Sequence, residues 1–166
     1  MPNRLTPKID PHVWRQIVAE QAIQRVVNEY GRGVDGKDFE RVRACFYADA
    51  LVTYGEQGPM SRDDAIDWLA RVTAAAPGLS HYFGVPSVDL SPDGLQATCE
   101  TWCINVNQFP RGKNGEEKQT VSGLFYEDTF ECRDGKWLIA LRKNSAEWNI
   151  EVDGNTLLPV PPASRM

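Results

Sequence analysis

The spacing of apolar residues changes character once along this chain, at Pro77-Gly78, and that change restricts the fold more than any other feature. Before it, apolar residues recur at helical intervals; after it, they gather into long β-prone runs parted by turn sequences. Ser91-Pro92-Asp93-Gly94, Arg111-Gly112-Lys113-Asn114-Gly115 and Arg133-Asp134-Gly135-Lys136 are those turns. They delimit strands expected at Ser80–Leu90, Leu95–Gln108, Thr120–Arg133 and Lys136–Glu151. Long strands joined by tight turns predict a curved antiparallel sheet. Helices first and strands later argue for an α+β fold rather than alternating α/β.

In the first part, Asp10-Pro11 is a helix start, because Asp caps free amides and Pro suits the first turn. Trp14, Ile17, Val18, Ile23, Val26, Val27, Tyr30 and Val34 then follow one helical stripe. Gly31, Gly33 and Gly36 erode this helix near its end, which puts Asp35 at the last turn or just past it. Asp38 caps a second, shorter helix through Phe46, and Ala50–Tyr54 reads as a short strand. Ser61 opens a third helix with Asp64 as a capping-box acid, and Ile66, Leu69, Val72 and Thr73 form its expected buried face. One domain is expected over residues 10–152, with a loose arm at 1–9 and a Pro-rich tail at 153–166, extended over Leu157–Pro162.

A chain of 166 residues, 42% hydrophobic and 25% charged, is long enough for one domain with a sizeable core. A formal charge of -5 and no Lys/Arg patch interleaved with aromatics argue against nucleic acid as a partner. No apolar stretch is long enough to cross a bilayer and no signal-like apolar region opens the chain, so a cytoplasmic protein is expected. Cys45, Cys99, Cys103 and Cys132 form no C-x-x-C pair, and Cys99 and Cys103 share one face of a strand. Buried reduced thiols are the expected state, with no metal and no other cofactor.

Histidine occurs twice, and His81 lies in the aromatic stretch Leu79-Ser80-His81-Tyr82-Phe83-Gly84 that follows the third helix. If the fold brings Asp35 to it, the carboxylate fixes the imidazole tautomer, frees the other ring nitrogen as a base and stabilises the imidazolium. The alternatives are a turn-forming Asp and a half-buried strand His.

Three local patterns stand out beside this pair. They are Tyr30-Gly31-Arg32-Gly33-Val34-Asp35-Gly36-Lys37-Asp38, then Phe46-Tyr47-Ala48-Asp49-Ala50, and Tyr126-Glu127-Asp128-Thr129-Phe130 leading to Asp134-Gly135-Lys136-Trp137. With the order of elements, they resemble the SnoaL-like group of the nuclear-transport-factor-2-like superfamily over residues 12–150. The resemblance implies a cone-shaped α+β barrel, with N-terminal helices packed on the curved antiparallel sheet, assembling as a homodimer or homotrimer. Within the group, the Asp–His dehydratases and dehydrochlorinases are nearest in motif. Asp35 and His81 fall on their dyad, Tyr30 and Tyr54 on their tyrosines, and Arg142 on an arginine of their last long strand.

Each assisting residue has two readings. Tyr30 donates its phenol to a substrate oxygen or closes the buried helix stripe. Tyr54 divides the same way. Arg142 holds or stabilises negative charge on a substrate, or pairs with an acid on a neighbouring strand. Trp102, Phe125, Trp137, Trp148 and Tyr82 are assigned to core or subunit interface, and Glu127, Asp128 and Glu131 to a solvated strand face. The function expected is a cofactor-independent lyase of the dehydratase type, or an isomerase, acting on a hydrophobic ring-containing small molecule. A polyketide-type cyclase and a non-catalytic binding or dioxygenase small-subunit-like protein are the alternatives.

Overall fold

Asp10 caps the first helix as its chemistry predicts, its carboxylate accepting the His12 amide at 2.8 Å with Pro11 in the first turn. This helix, α1 (Pro11–Asp35), buries Ala19, Ile23, Val27, Tyr30 and Val34, spaced by three or four residues along one face. The expected stripe begins too early: Trp14, Ile17 and Val18 are exposed, and α1 joins the core only from Ala19. The helix also runs unbroken through Gly31 and Gly33. A Cβ on Gly31 would lie 2.6 Å from the Phe83 ring, and one on Gly33 would lie 2.7 Å from Val42. Both glycines therefore serve close packing, which outweighs their poor helix propensity.

A short helix, α2 (Phe39–Arg43), follows, capped by Asp38. Then come β1 (Phe46–Tyr54), β2 (Gln57–Ser61) and α3 (Arg62–Thr73). Ser61 accepts the Asp64 amide at 3.2 Å, the cap the sequence predicts, while the Asp64 carboxylate takes the Ser61 hydroxyl at 2.6 Å instead of the Ser61 amide of a capping box. Ile66, Leu69 and Thr73 are buried on α3; Val72, assigned to the same face, is half exposed. Lys37 donates from its ammonium to the Ala76 carbonyl at 2.7 Å, tying the end of α1 to the end of α3.

The remaining strands are β3 (Gly78–Phe83), β4 (Ser87–Leu90), β5 (Gln96–Phe109), β6 (Lys118–Arg133) and β7 (Lys136–Asp153). The computed structural model describes residues 10–109 and 118–153; the N-terminal arm, the turn at Arg111–Gly115 and the Pro-rich segment Leu157–Pro162 lie outside them. The single strand expected at Ser80–Leu90 is two, broken at Gly84-Val85-Pro86. Pro86 lacks the amide a continuous ladder needs.

The strands form one curved sheet in the order β2-β1-β7-β6-β5-β3, with β4 also on β5. Two expectations change here. The sheet is mixed, because β1 runs parallel to β7, and it is open, because β2 and β3 end the order without meeting. Register shifts at Gly123/Leu124 and Thr129/Phe130 interrupt the long β6–β7 ladder, and such bulges sharpen twist and bend. The result is an α+β cone-like fold: the helices cover one face of the sheet and the core lies between them. Among the described residues, no helix is long and apolar enough to cross a membrane.

Candidate active site

The end of α1 packs on β3, and this contact brings Asp35 to His81. One carboxylate oxygen of Asp35 lies 2.5 Å from His81 Nδ1, and the other accepts the His81 backbone amide at 2.9 Å. The acid thus grips both ring and main chain of the same residue. With the carboxylate ionised and the ring neutral, Nδ1 carries the proton and Nε2 the lone pair. The imidazole is nearly buried, with 7% of its side chain exposed, against 29% for Asp35. Phe83 stacks on the ring at 5.9 Å between centroids and reaches Tyr126 at 5.4 Å.

His81 borders a cavity of about 240 Å³ between the helices and the sheet. Tyr30 and Tyr54 also line it, their hydroxyls 2.9 Å apart. Tyr54 lies flat against Trp68 from α3, at 5.3 Å. Asp35 does not line this cavity; with Asn28, Arg32 and the His81 ring it borders a second cleft of about 370 Å³. The imidazole borders both. Burial pushes the Tyr30 phenol up from its ordinary value, although the Arg142 charge opposes it. Burial raises Tyr54 further, and the neighbouring Tyr30 adds to the effect. Both phenols stay protonated, so they can donate hydrogen bonds.

Arg142 does not line the cavity. It is wholly buried beneath Tyr30, its guanidinium 4.1 Å from the Tyr30 ring centre and 4.8 Å from that of Tyr126. Its Nε and Nη2 donate to Asp128 at 2.8 and 2.6 Å, while Nη1 has no hydrogen-bond partner. Burial works against the Arg142 charge, but Asp128 outweighs it, and the guanidinium titrates well above the ordinary arginine range. Asp128 is therefore no part of a solvated face: it opposes Arg142 across the β6–β7 ladder and is buried there. The second reading of Arg142, an ion pair with a neighbouring strand, describes its contacts.

Three asparagines that sequence reasoning passed over complete the polar lining: Asn105 and Asn107 on β5 and Asn144 on β7. Asn105 Nδ2 lies 3.1 Å from His81 Nε2, and Asn107 Nδ2 donates to Asn105 Oδ1 at 2.6 Å. A signal existed. Cys99, Thr101, Cys103 and Asn105 alternate along β5 with exposed neighbours, so the inward face turns polar near the cavity. The four cysteines are free, with Cys45, Cys99 and Cys103 buried. Among the described residues, no group of three or more His, Cys, Asp or Glu side chains is arranged to hold a metal ion.

Similarities to known proteins fit this architecture. An uncharacterized protein of Mycobacterium tuberculosis (strain ATCC 25618 / H37Rv) is 29% identical over 123 residues, covering 72% of this chain and 80% of that one. Among solved structures, a scytalone dehydratase-like protein of Novosphingobium aromaticivorans DSM 12444 superposes with a TM-score of 0.73 at 20% identity, covering 83% of this chain and 90% of the other. The hexachlorocyclohexane dehydrochlorinase LinA-type3 of Novosphingobium barchaimii LL02 gives 0.71 at 17% identity, covering 90% and 99%. ActVI-ORFA of Streptomyces coelicolor gives 0.63 at 18% identity, covering 80% and 98%. At these identities the structures speak for the fold alone. Residues 15–143 match the SnoaL-like domain, and the chain belongs to that family.

Proposed function

We propose that this protein is a cofactor-independent lyase of the dehydratase type, acting on a hydrophobic ring-containing small molecule. The observation that carries this reading is the Asp35–His81 contact at 2.5 Å, with the ring on the wall of a largely apolar cavity. His81 Nε2 takes a proton from carbon; the C–H electron pair becomes the new double bond and the C–O bond breaks. The leaving hydroxyl takes up one proton and departs as water, and the proton held by His81 restores the balance. Asp35 stabilises the imidazolium meanwhile. Tyr30 donates to the departing or charge-gathering oxygen, and Tyr54 holds the Tyr30 hydroxyl and meets the same substrate. Arg142 is a positioning residue in this reading, since its charge reaches the cavity through the Tyr30 ring. Eliminations named for two structural neighbours, a dehydration and a dehydrochlorination, agree with this chemistry.

The test is turnover of bicyclic β-hydroxy ketones, read by product mass. Loss of one water is expected, with His81→Ala and Asp35→Asn each slower by roughly 10²–10⁴-fold while still binding the ketone. Unchanged turnover in His81→Ala removes the dyad from the mechanism. Loss of water with ring closure identifies the polyketide-type cyclase instead. The exposed aromatics Tyr82, Trp102 and Trp148 support a homodimer or homotrimer built on the sheet. Co-purification with a larger iron-containing partner, with no activity alone, points to a non-catalytic subunit.

A further inference from the structure

Both ring nitrogens of His81 are engaged. Nδ1 is held by Asp35, and Nε2, the nitrogen that would act as base, lies 3.1 Å from the side-chain amide nitrogen of Asn105. Which end of the Asn105 amide faces the ring decides what this contact is. Two further contacts match the nitrogen to the ring. Asn105 Oδ1 accepts from Asn107 at 2.6 Å, and Asn105 Nδ2 lies 3.4 Å from the Ser80 carbonyl oxygen. Turning the Asn105 amide over would set oxygen against the Ser80 carbonyl and, with Asn107 as placed, donor against donor. In this arrangement Asn105, 5% exposed, is the donor, and its N–H caps the His81 lone pair.

A capped lone pair takes no proton from carbon. We propose that Asn105 is a positioning residue that masks His81 until a substrate oxygen takes over its hydrogen bond, and that the substrate is consequently an uncharged, oxygen-bearing carbon acid. This rests on His81 being the base. The exchange trades one hydrogen bond for another and so costs little; it also anchors the substrate oxygen beside the freed nitrogen. A hydrocarbon or halocarbon of the same shape offers no acceptor of comparable strength. It must either leave the base capped or strand a buried amide, a penalty of about 5- to 150-fold in affinity.

The charge inventory narrows the class further. Among the described residues no Lys or Arg lines the cavity; Arg142, beneath Tyr30, is paired with Asp128, and the Lys37 ammonium is held by the Ala76 carbonyl. A carboxylate or phosphate entering here would lose its hydration without a counter-ion. The volume of about 240 Å³ lies below the ~300–1,000 Å³ of pockets for drug-sized ligands, which suits a molecule of one or two rings.

With two histidines in the chain, nitrogen-15 labelling of histidine resolves His81 directly, its signals assigned by their absence in His81→Ala. Asn105→Ala is expected to move the Nε2 resonance downfield, toward an unbonded pyridine-type nitrogen, and to leave Nδ1 in place. Asn107→Ala, which only loosens the clamp on Asn105, moves it less in the same direction and serves if Asn105→Ala does not fold. Saturation with β-tetralone, an uncharged bicyclic ketone, is expected to move the wild-type resonance as Asn105→Ala does, and to move the Asn105→Ala resonance no further. Tetralin, the same skeleton without oxygen, binds at least 5-fold more weakly and leaves Nε2 where it was; β-naphthoate does not bind. An Nε2 resonance unmoved by either asparagine substitution overturns the masking. Tetralin or β-naphthoate binding as well as β-tetralone, or no binding of β-tetralone, overturns the substrate class. Failure of the parent reading looks different: turnover then survives in His81→Ala while the Asn105 signature persists.

Discussion

Two carboxylates in this fold each grip a basic side chain, and their surroundings give them opposite uses. Asp128 and Arg142 meet across adjacent strands, wholly excluded from water, with bonds of 2.8 and 2.6 Å. Asp35 and His81 meet at a helix end, with the acid part-exposed at a second cleft and the ring on the cavity wall. The first pair cannot give up its charges without stranding one in the core. The second is not so confined, because its acid is part-exposed and its ring borders the cavity. A buried ion pair here is scaffolding for Tyr30; a half-buried one is a candidate for chemistry.

Breaking each pair separately should therefore give opposite results. Asp128→Asn is expected to cost about 3–5 kcal/mol of stability, read as a lower urea midpoint, because it leaves Arg142 charged, buried and unpaired. Replacing both partners with apolar residues, Asp128→Leu with Arg142→Met, should recover much of that loss. Asp35→Asn should cost only about 1 kcal/mol in the same measurement while losing most turnover. Equal destabilisation by the two single substitutions would end the distinction.

The cavity side of the comparison is sharpened by Tyr30→Phe, which keeps the ring on Arg142 and removes only the hydroxyl. Turnover of a bicyclic β-hydroxy ketone should fall by roughly 10²–10³-fold, as for loss of one donor to a developing oxyanion. If kcat is unchanged and only KM rises, Tyr30 binds the ground state and does not assist the leaving oxygen. A smaller effect probes the helix that carries Asp35. Gly31→Ala places a methyl 2.6 Å from Phe83 and 3.5 Å from the His81 Cβ. Overpacking of about 1–3 kcal/mol is expected, with His81 resonances displaced and those of Arg142 unchanged.

The two pairs were unequally legible. Asp10 and Ser61 announce their helices because a cap is a local device, complete within four residues. Asp35 and His81 stood out for similar reasons, one at a glycine-punctuated helix end and the other a rare residue in a β-prone run. Asp128 did not, since its burial depends on lying opposite Arg142, and register across a bulged ladder is not written in either strand alone. Asn105 and Asn107 were hidden likewise: alternation puts them inward, but only the pairing of β3 with β5 sets Asn105 opposite His81. The parallel contact of β1 with β7 is less local still, joining strands about 90 residues apart in the chain, as Phe46 with Ile139. Trp14, Ile17 and Val18 misled because a helical stripe records what a helix can bury, while the extent of the sheet decides how much of it does.

The smallest effect separates both pairs from the background that holds them. Burial pushes the Cys45 and Cys99 thiols up to about 11 and Cys103 to about 12, from an ordinary value of 9.0. Folding thus favours the protonated thiol, and this contribution is fully present below pH 9.0, the value in the unfolded chain. Above it the unfolded state ionises first, and stability falls until the folded thiols ionise as well, at about pH 11 to 12. Each thiol removes at most about 1.4 kcal/mol per pH unit in that window. Urea unfolding followed from pH 8 upward should show this decline, and Cys103→Ala should flatten it by about one proton. Asp35→Asn should leave the slope alone, because it removes none of these thiols. A slope that Cys103→Ala does not alter would mean that the inward face of β5 is wet, and with it the polar end where Asn105 meets His81.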